Sequence, residues 1–271
     1  MQMKVFDIHV HIFPQKIAEK ASRAIGKFYD AEMRHDGTLD TAIRLMDEAG
    51  IQGMAVHSVA TTPAQCAHIN EFVMEAKRAY PDRIIPFAAI HPGLEDVEAY
   101  VENALQAGFR GFKIHPDIQG FALDRPDAVR MIGAVAGKAP LLIHTGDARY
   151  DNSGPVKVAG MLDRFPNLTA ICAHLGGYSQ WTEAEALLAG RDIYVDCSSS
   201  MFLLEPERMV EIMRAYGMDR VFFGSDYPMW TPGEELKRFL ALNLTEAEKQ
   251  AVLWDNAAKF FGLESSQKSG V

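Results

Sequence analysis

Eight short runs rich in β-branched and other apolar residues, each separated from the next by a segment of helical periodicity, constrain this chain more than any other feature. The runs are Val5 to Val10, Gly53 to Val59, Ile84 to Ile90, Gly111 to Ile114, Pro140 to Ile143, Leu168 to Cys172, Ile193 to Val195 and Arg220 to Phe223. They are nearly continuous in hydrophobicity, the pattern of parallel strands covered on both faces. Between them Ala64 to Tyr80, Leu94 to Ala107, Pro126 to Ala136, Pro155 to Phe165, Ser179 to Leu188 and Glu205 to Tyr216 carry helical spacing. Several of these open on a proline, whose missing N–H costs little in a first turn, and others stop at Gly50, Gly108, Gly137 or Gly217, where glycine suits the left-handed exit. A length of 271 residues allows either two domains or one barrel. No linker, repeat or composition shift divides the chain, so the expectation is a single α/β domain over 1–263, a (β/α)8 TIM barrel. Residues Glu235 to Gly262 read as closing helices and 264–271 as a frayed tail.

The net charge of −9 opposes attraction to phosphate backbones and anionic lipid, which leaves a small molecule as the expected partner, with no nucleic acid and no membrane. Cys66, Cys172 and Cys197 lie too far apart for a CxxC pair or a disulfide framework. No signal peptide and no run of 18 or more apolar residues is present, so a cytoplasmic location is expected.

Seven of the nine histidines fall in or at the C-terminal ends of the expected strands: His9, His11, His57, His91, His115, His144 and His174. Strand ends make up roughly a tenth of the chain, so chance would place about one there. Active sites of barrels form at that face, where the βα loops converge, and a ring of imidazoles there suggests metal or proton chemistry. In Asp7-Ile8-His9-Val10-His11 strand alternation should send Asp7, His9 and His11 into the barrel and Ile8 and Val10 toward the helices. His144 ends the fifth strand, and Asp226 follows the eighth, which closure brings beside the first. Three nitrogens and one carboxylate oxygen from His9, His11, His144 and Asp226 make a divalent-metal site with an open position. His174, ending the sixth strand, can orient or deprotonate a bound water or polarise a carbonyl. Lys113 and His115 share a face of the fourth strand. Lys113 reads as a carboxylate anchor, a carbamylated ligand or an ion-paired lysine, and the bland alternative is a surface lysine. Arg149, in the loop after His144, is the candidate cation for a substrate carboxylate. His57 is read as capping the second strand. Trp181, Met201, Phe202, Tyr227 and Trp230 are candidates to line the pocket, set by loops after strands two, three, six and seven.

From Asp7-Ile8-His9-Val10-His11 through Lys113-Ile114-His115-Pro116, Leu142-Ile143-His144 and Ala173-His174-Leu175-Gly176-Gly177 to Gly224-Ser225-Asp226-Tyr227-Pro228, the chain resembles the amidohydrolase superfamily. It resembles in particular the amidohydrolase-related branch that includes aminocarboxymuconate semialdehyde decarboxylase and resorcylate-type decarboxylases. The resemblance implies one metal on His9, His11, His144 and Asp226, zinc first and manganese second, with His174 as the catalytic histidine; a homodimer follows from it alone.

The leading expectation is metal-dependent hydrolysis of an amide, lactone or ester, with His174 positioning or deprotonating the metal-activated water and Asp226 shuttling a proton to the leaving group. The alternative is nonoxidative decarboxylation of an aromatic or unsaturated carboxylic acid, with His174 or Asp226 protonating carbon. A metal-free lactonase and a barrel retained only for binding are the remaining readings.

Overall fold

The computed structural model describes residues 3–263; the tail expected at 264–271 lies outside them. Eight parallel strands neighbour one another in chain order: β1 (Phe6–His11), β2 (Gly53–His57), β3 (Ile84–Ala89), β4 (Gly111–Ile114), β5 (Leu141–Ile143), β6 (Ala170–Cys172), β7 (Tyr194–Asp196) and β8 (Val221–Phe222). Closure runs through backbone hydrogen bonds past the end of β8. The Ile8 N–H donates to the Phe223 carbonyl (2.9 Å), the Asp226 N–H to the His9 carbonyl (2.9 Å) and the His11 N–H to the Tyr227 carbonyl (2.8 Å). The fold is therefore the expected (β/α)8 barrel, and the strand pattern placed all eight staves to within a few residues.

Two layers of apolar side chains sort the strands' faces. Phe6, Ala55, Phe87, Leu142, Ile171, Ala173 and Phe222 meet in one cluster drawn from six strands, which only the barrel interior can collect. Val10, Val56, Phe112, Ile143, Cys172 and Val195 belong to the larger cluster under the helices. Ile8 sits in the interior cluster, contrary to the simple alternation read from the sequence. The reason is a register shift in the β1–β2 pairing between Asp7 and Val10, a bulge that inserts one residue and resets the parity before His9. Asp7 does not point at the site. Its Oδ1 accepts the N–H groups of His9 (3.0 Å) and Ser225 (2.9 Å), and burial pushes its carboxyl up to about 7.

The helices are α1 (Ala18–Tyr29), α2 (Leu39–Ala49), α3 (Gln65–Ala79), α4 (Val97–Gln106), α5 (Pro116–Gln119), α6 (Pro126–Val135), α7 (Pro155–Arg164), α8 (Trp181–Leu188), α9 (Pro206–Tyr216), α10 (Pro232–Leu240), α11 (Glu246–Gln250) and α12 (Asn256–Phe261). Helix α12 plugs the N-terminal end, where Phe261 contacts Phe6 and Phe87. The helix stop expected at Gly50 is the left-handed exit of α2, whose start carried no assignment, and α1 is a helix the sequence pattern did not mark. Helix α2 fills the ordinary crossover after β1, while α1 is an insertion in the same connection that borders the barrel mouth. No described helix is long and apolar enough to cross a membrane.

Candidate metal centre

The restored alternation in β1 aims His9 and His11 into the mouth. Their Nε2 atoms lie 3.3 Å apart, and Asp226 Oδ1 lies 3.4 Å and 3.6 Å from them. Three donor atoms this close are spaced like neighbouring ligands of one ion with metal–ligand bonds of about 2.1 Å. Burial, reinforced by Lys113 and His174, holds both imidazoles well below their ordinary pKa, so each is the neutral, lone-pair form a metal needs.

The orientation of His9 is fixed from behind. Its Nδ1 lies 2.9 Å from Asp196 Oδ2 and 3.1 Å from Ser198 Oγ, so Nδ1 carries the proton and Nε2 presents its lone pair to the mouth. Asp196 ends β7, and its Oδ1 accepts the N–H groups of His174 (3.2 Å) and Ser198 (3.0 Å) as well as the Ser198 hydroxyl. Gly224 makes room for this packing, because a Cβ there would stand 3.0 Å from His9 Cβ and 3.2 Å from Ser198 Cβ. Sequence reasoning passed over Asp196 by ending the strand at Val195; the same strand-end rule applied to acids would have found it.

His174 follows Ala173, which faces the interior, so alternation alone would turn it outward. Left-handed backbone at His174 (φ 58°) and Leu175 (φ 53°) brings it back. Its Nδ1 lies 3.0 Å from the Ser198 carbonyl, which can only accept, leaving Nε2 to accept the Nδ1–H of His144 at 2.9 Å. That chain leaves His144 Nε2 bare, buried and without a partner, 3.7 Å from Asp117 Oδ2. Asp226 is left-handed too (φ 59°), and its Oδ2 accepts the Ser199 hydroxyl at 2.5 Å. Non-glycine residues held in this region cost of order 1 kcal/mol each and collect at functional sites.

Lys113 is fully buried, which removes the surface-lysine reading. Burial lowers its ammonium to about 8, and its Nζ donates to His9 Nε2 at 3.2 Å. The lone pair that accepts Lys113 is the one an ion would take, so the two are alternatives. His57 is fully buried, with both ring nitrogens unpartnered and its ring edge-on to His11 at 4.4 Å. It stands beside the donors rather than only capping β2. His115 stacks on His144 (ring centroids 3.8 Å, 8° between planes) and meets the hydroxyl of Tyr29 at 2.7 Å.

The candidate carboxylate anchor Arg149 is engaged elsewhere. It forms a two-pronged pair with Asp147 (2.9 and 2.7 Å), donates to the Phe28 carbonyl and covers the rings of Phe28, Tyr29 and Tyr150, and it does not line the cavity. The cavity above the donors measures about 820 Å³. Its walls come mainly from α1 and from the loops after β1 and β2, with Phe13, Ile25, Phe28, Met33, Phe72 and Met229 among them. Trp181, Met201, Phe202, Tyr227 and Trp230 are not part of that wall. Tyr227 is core, its hydroxyl donating to the Thr38 carbonyl, and Trp230 donates to Ser199.

The donor set fits a single divalent cation. His9 Nε2, His11 Nε2 and Asp226 Oδ1 converge, two neutral imidazoles and one carboxylate are an ordinary ligand mixture, and the bare His144 Nε2 is a buried acceptor still in want of a partner.

A family model described as amidohydrolase matches residues 6–263. The chain belongs to the amidohydrolase family. A gamma-resorcylate decarboxylase from a Polaromonas species is 25% identical over 290 residues, which cover 83% of this chain and 87% of that protein. The 2,6-dihydroxybenzoate decarboxylase from Rhizobium shares the fold at a TM-score of 0.70 and 20% identity, covering 97% of this chain and 99% of that one. A dihydroxybenzoic acid decarboxylase from Polaromonas, solved with manganese and the inhibitor 2-nitroresorcinol, has a TM-score of 0.73 and 16% identity, covering 98% and 99%. These amidohydrolase relatives are named for decarboxylation, whereas the sequence reading led with hydrolysis. The metal in the Polaromonas structure is manganese, whereas the reading put zinc first.

Proposed function

We propose that this amidohydrolase is a metal-dependent nonoxidative decarboxylase of a small aromatic carboxylic acid. The observation that carries the proposal is the convergence of His9, His11 and Asp226 at the floor of a largely apolar cavity, in a chain whose relatives bear decarboxylase names. His9 and His11 would hold the ion through Nε2, Asp226 through Oδ1 and His144 through its bare Nε2. A divalent ion there supplies a Lewis acid that binds and orients the substrate's oxygens.

The chain's own groups do the rest. The apolar wall binds the ring and excludes water. Asp196 and Ser198 hold His9 with its lone pair inward, and His174 fixes the tautomer of His144. The proton that replaces carbon dioxide is assigned to the Asp226 carboxyl, which borders the cavity, through Oδ2, the oxygen that accepts the Ser199 hydroxyl while Oδ1 faces His9 and His11. The proton adds to the carbon bearing the carboxylate, the electrons of the breaking carbon–carbon bond return to the ring, carbon dioxide leaves, and solvent restores the proton. Lys20, at the rim, is the one lysine or arginine among the lining residues and draws the anion in.

Incubation of manganese-loaded protein with dihydroxybenzoates in D2O tests this. One deuterium at the carbon that lost the carboxyl group is expected. Unchanged acids, alongside esters or lactones opened by the same preparation, would restore the hydrolytic reading.

A further inference from the structure

Tyr29, at the C-terminal end of the inserted helix α1, and His115, just past β4, both line the cavity, and their polar atoms meet at 2.7 Å. Which of them donates is settled by a third group. The backbone N–H of Ile118, in the first turn of α5, points at His115 Nδ1 at 3.3 Å, and a backbone N–H can only donate. His115 Nδ1 is therefore the bare nitrogen and Nε2 carries the hydrogen. Nε2–H donates to the Tyr29 oxygen, and the phenolic hydrogen is released from that bond.

We propose that Tyr29, held by His115, is an oxygen-binding subsite of this cavity whose hydroxyl donates to a carboxylate or ring-hydroxyl oxygen of the aromatic acid. The assignment rests on the decarboxylase reading for the identity of that ligand but not for the hydrogen-bond geometry. Three observations support it. The Tyr29 ring centroid lies 6.2 Å from that of His144, and His115 stacks directly on His144, so the hydroxyl stands within one aromatic ring's reach of the proposed metal donors. Burial, with Asp226, Asp147 and Asp117 nearby, raises the phenol well above its ordinary pKa, so it remains a donor throughout the working range. A phenol already accepting an N–H bond is also a stronger donor, because successive hydrogen bonds polarise one another. Arg149 and Asp147 brace this corner, with the guanidinium 5.4 Å from the Tyr29 ring and bonded to the Phe28 carbonyl.

Two measurements test the subsite. In zinc-loaded, 15N-labelled protein, with the His115 signals assigned by comparison with H115Q, the imidazole should show a bare Nδ1 and a protonated Nε2. The opposite tautomer overturns the proposal whatever the substrate. Titration of manganese-loaded wild type and Y29F with 2-nitroresorcinol and with benzoate then reads the ligand. Loss of one donor to an anionic oxygen should weaken binding about 10-fold or more, with metal content and melting temperature unchanged. Weakening of both ligands assigns the subsite to the carboxylate or nitro end, and weakening of 2-nitroresorcinol alone assigns it to a ring hydroxyl. Equal affinities of Y29F and wild type for both ligands overturn the subsite. If wild type binds neither ligand, the aromatic-acid reading falls, and with it the ligand class assigned to Tyr29.

Discussion

Replacing Asp196 with asparagine tests the support behind the metal centre, and the structure sets the size of the effect. Asp196 Oδ2 faces His9 Nδ1 at 2.9 Å, while Oδ1 takes three donors, the N–H groups of His174 and Ser198 and the Ser198 hydroxyl. An asparagine oxygen satisfies more partners by staying with the three donors. That choice turns the amide NH2 toward His9 and forces His9 to keep its lone pair at Nδ1 and its proton at Nε2. The proton then occupies the position from which His9 would bind an ion. Groups that orient metal-bound histidines are typically worth 10- to 100-fold in affinity, about 1.4 to 2.7 kcal/mol. Competition between the apoprotein and a calibrated chelator for Mn2+ should show Asp196→Asn binding 10- to 100-fold more weakly than wild type, with an unchanged circular dichroism spectrum. Ser198→Ala, which leaves the carboxylate in place, should lose only a few-fold. Affinity of Asp196→Asn within about twofold of wild type would refute the reasoning, because it would mean that His9 does not depend on this tautomer.

Other outcomes follow from the same geometry. His174→Asn removes the acceptor of His144 and should cut kcat at least 100-fold while the metal content of saturated protein stays at that of wild type; unaltered turnover would remove His174 from the machinery. Glu235 lies on the buried face of α10, one turn before Arg238, and burial raises its carboxyl from 4.5 to about 7. Between those values the folded protein binds more protons than the unfolded chain, so stability is greatest below about 4.5 for this group and falls as pH rises through 7, by at most ~3 kcal/mol. Melting temperatures from pH 5 to 8 should therefore fall less steeply for Glu235→Gln than for wild type, and parallel curves would contradict the assignment.

The barrel was legible because fully covered parallel strands leave a nearly unbroken apolar signature, and the mouth was legible because histidine is rare enough for a cluster at strand ends to stand out. His9 and His11, chosen on that ground, and Asp226, chosen because closure brings the eighth strand beside the first, lie within 3.6 Å of one another. The misses have physical causes. The bulge in β1 depends on pairing with β2 and leaves no local trace, so Ile8 was sent to the wrong face while His9, beyond the bulge, was not. Asp196 opens Asp196-Cys197-Ser198-Ser199-Ser200, which reads as a polar loop until its contact with His9, 187 positions away, is known. Helix α1 begins without a side-chain cap and carries Gly26, so its ends are poorly marked, and Tyr29 at its end carries no signature of its own. Arg149 was chosen for its place after β5, but its partners Asp147 and Phe28 come together only in the folded mouth.

The central claim is decarboxylation at a centre built on His9, His11 and Asp226. It is tested most directly by mass-spectrometric detection of 13CO2 from carboxyl-labelled 2,6-dihydroxybenzoate and related dihydroxybenzoates. The samples are manganese-loaded wild type, His9→Ala and Asp226→Ala, each with its metal content measured. About one ion per wild-type chain is expected, with labelled carbon dioxide in step with the decarboxylated phenol and both lost in the two variants. Label retained in the acids by fully metal-loaded wild type, while the same sample hydrolyses an ester or lactone, would contradict the central claim.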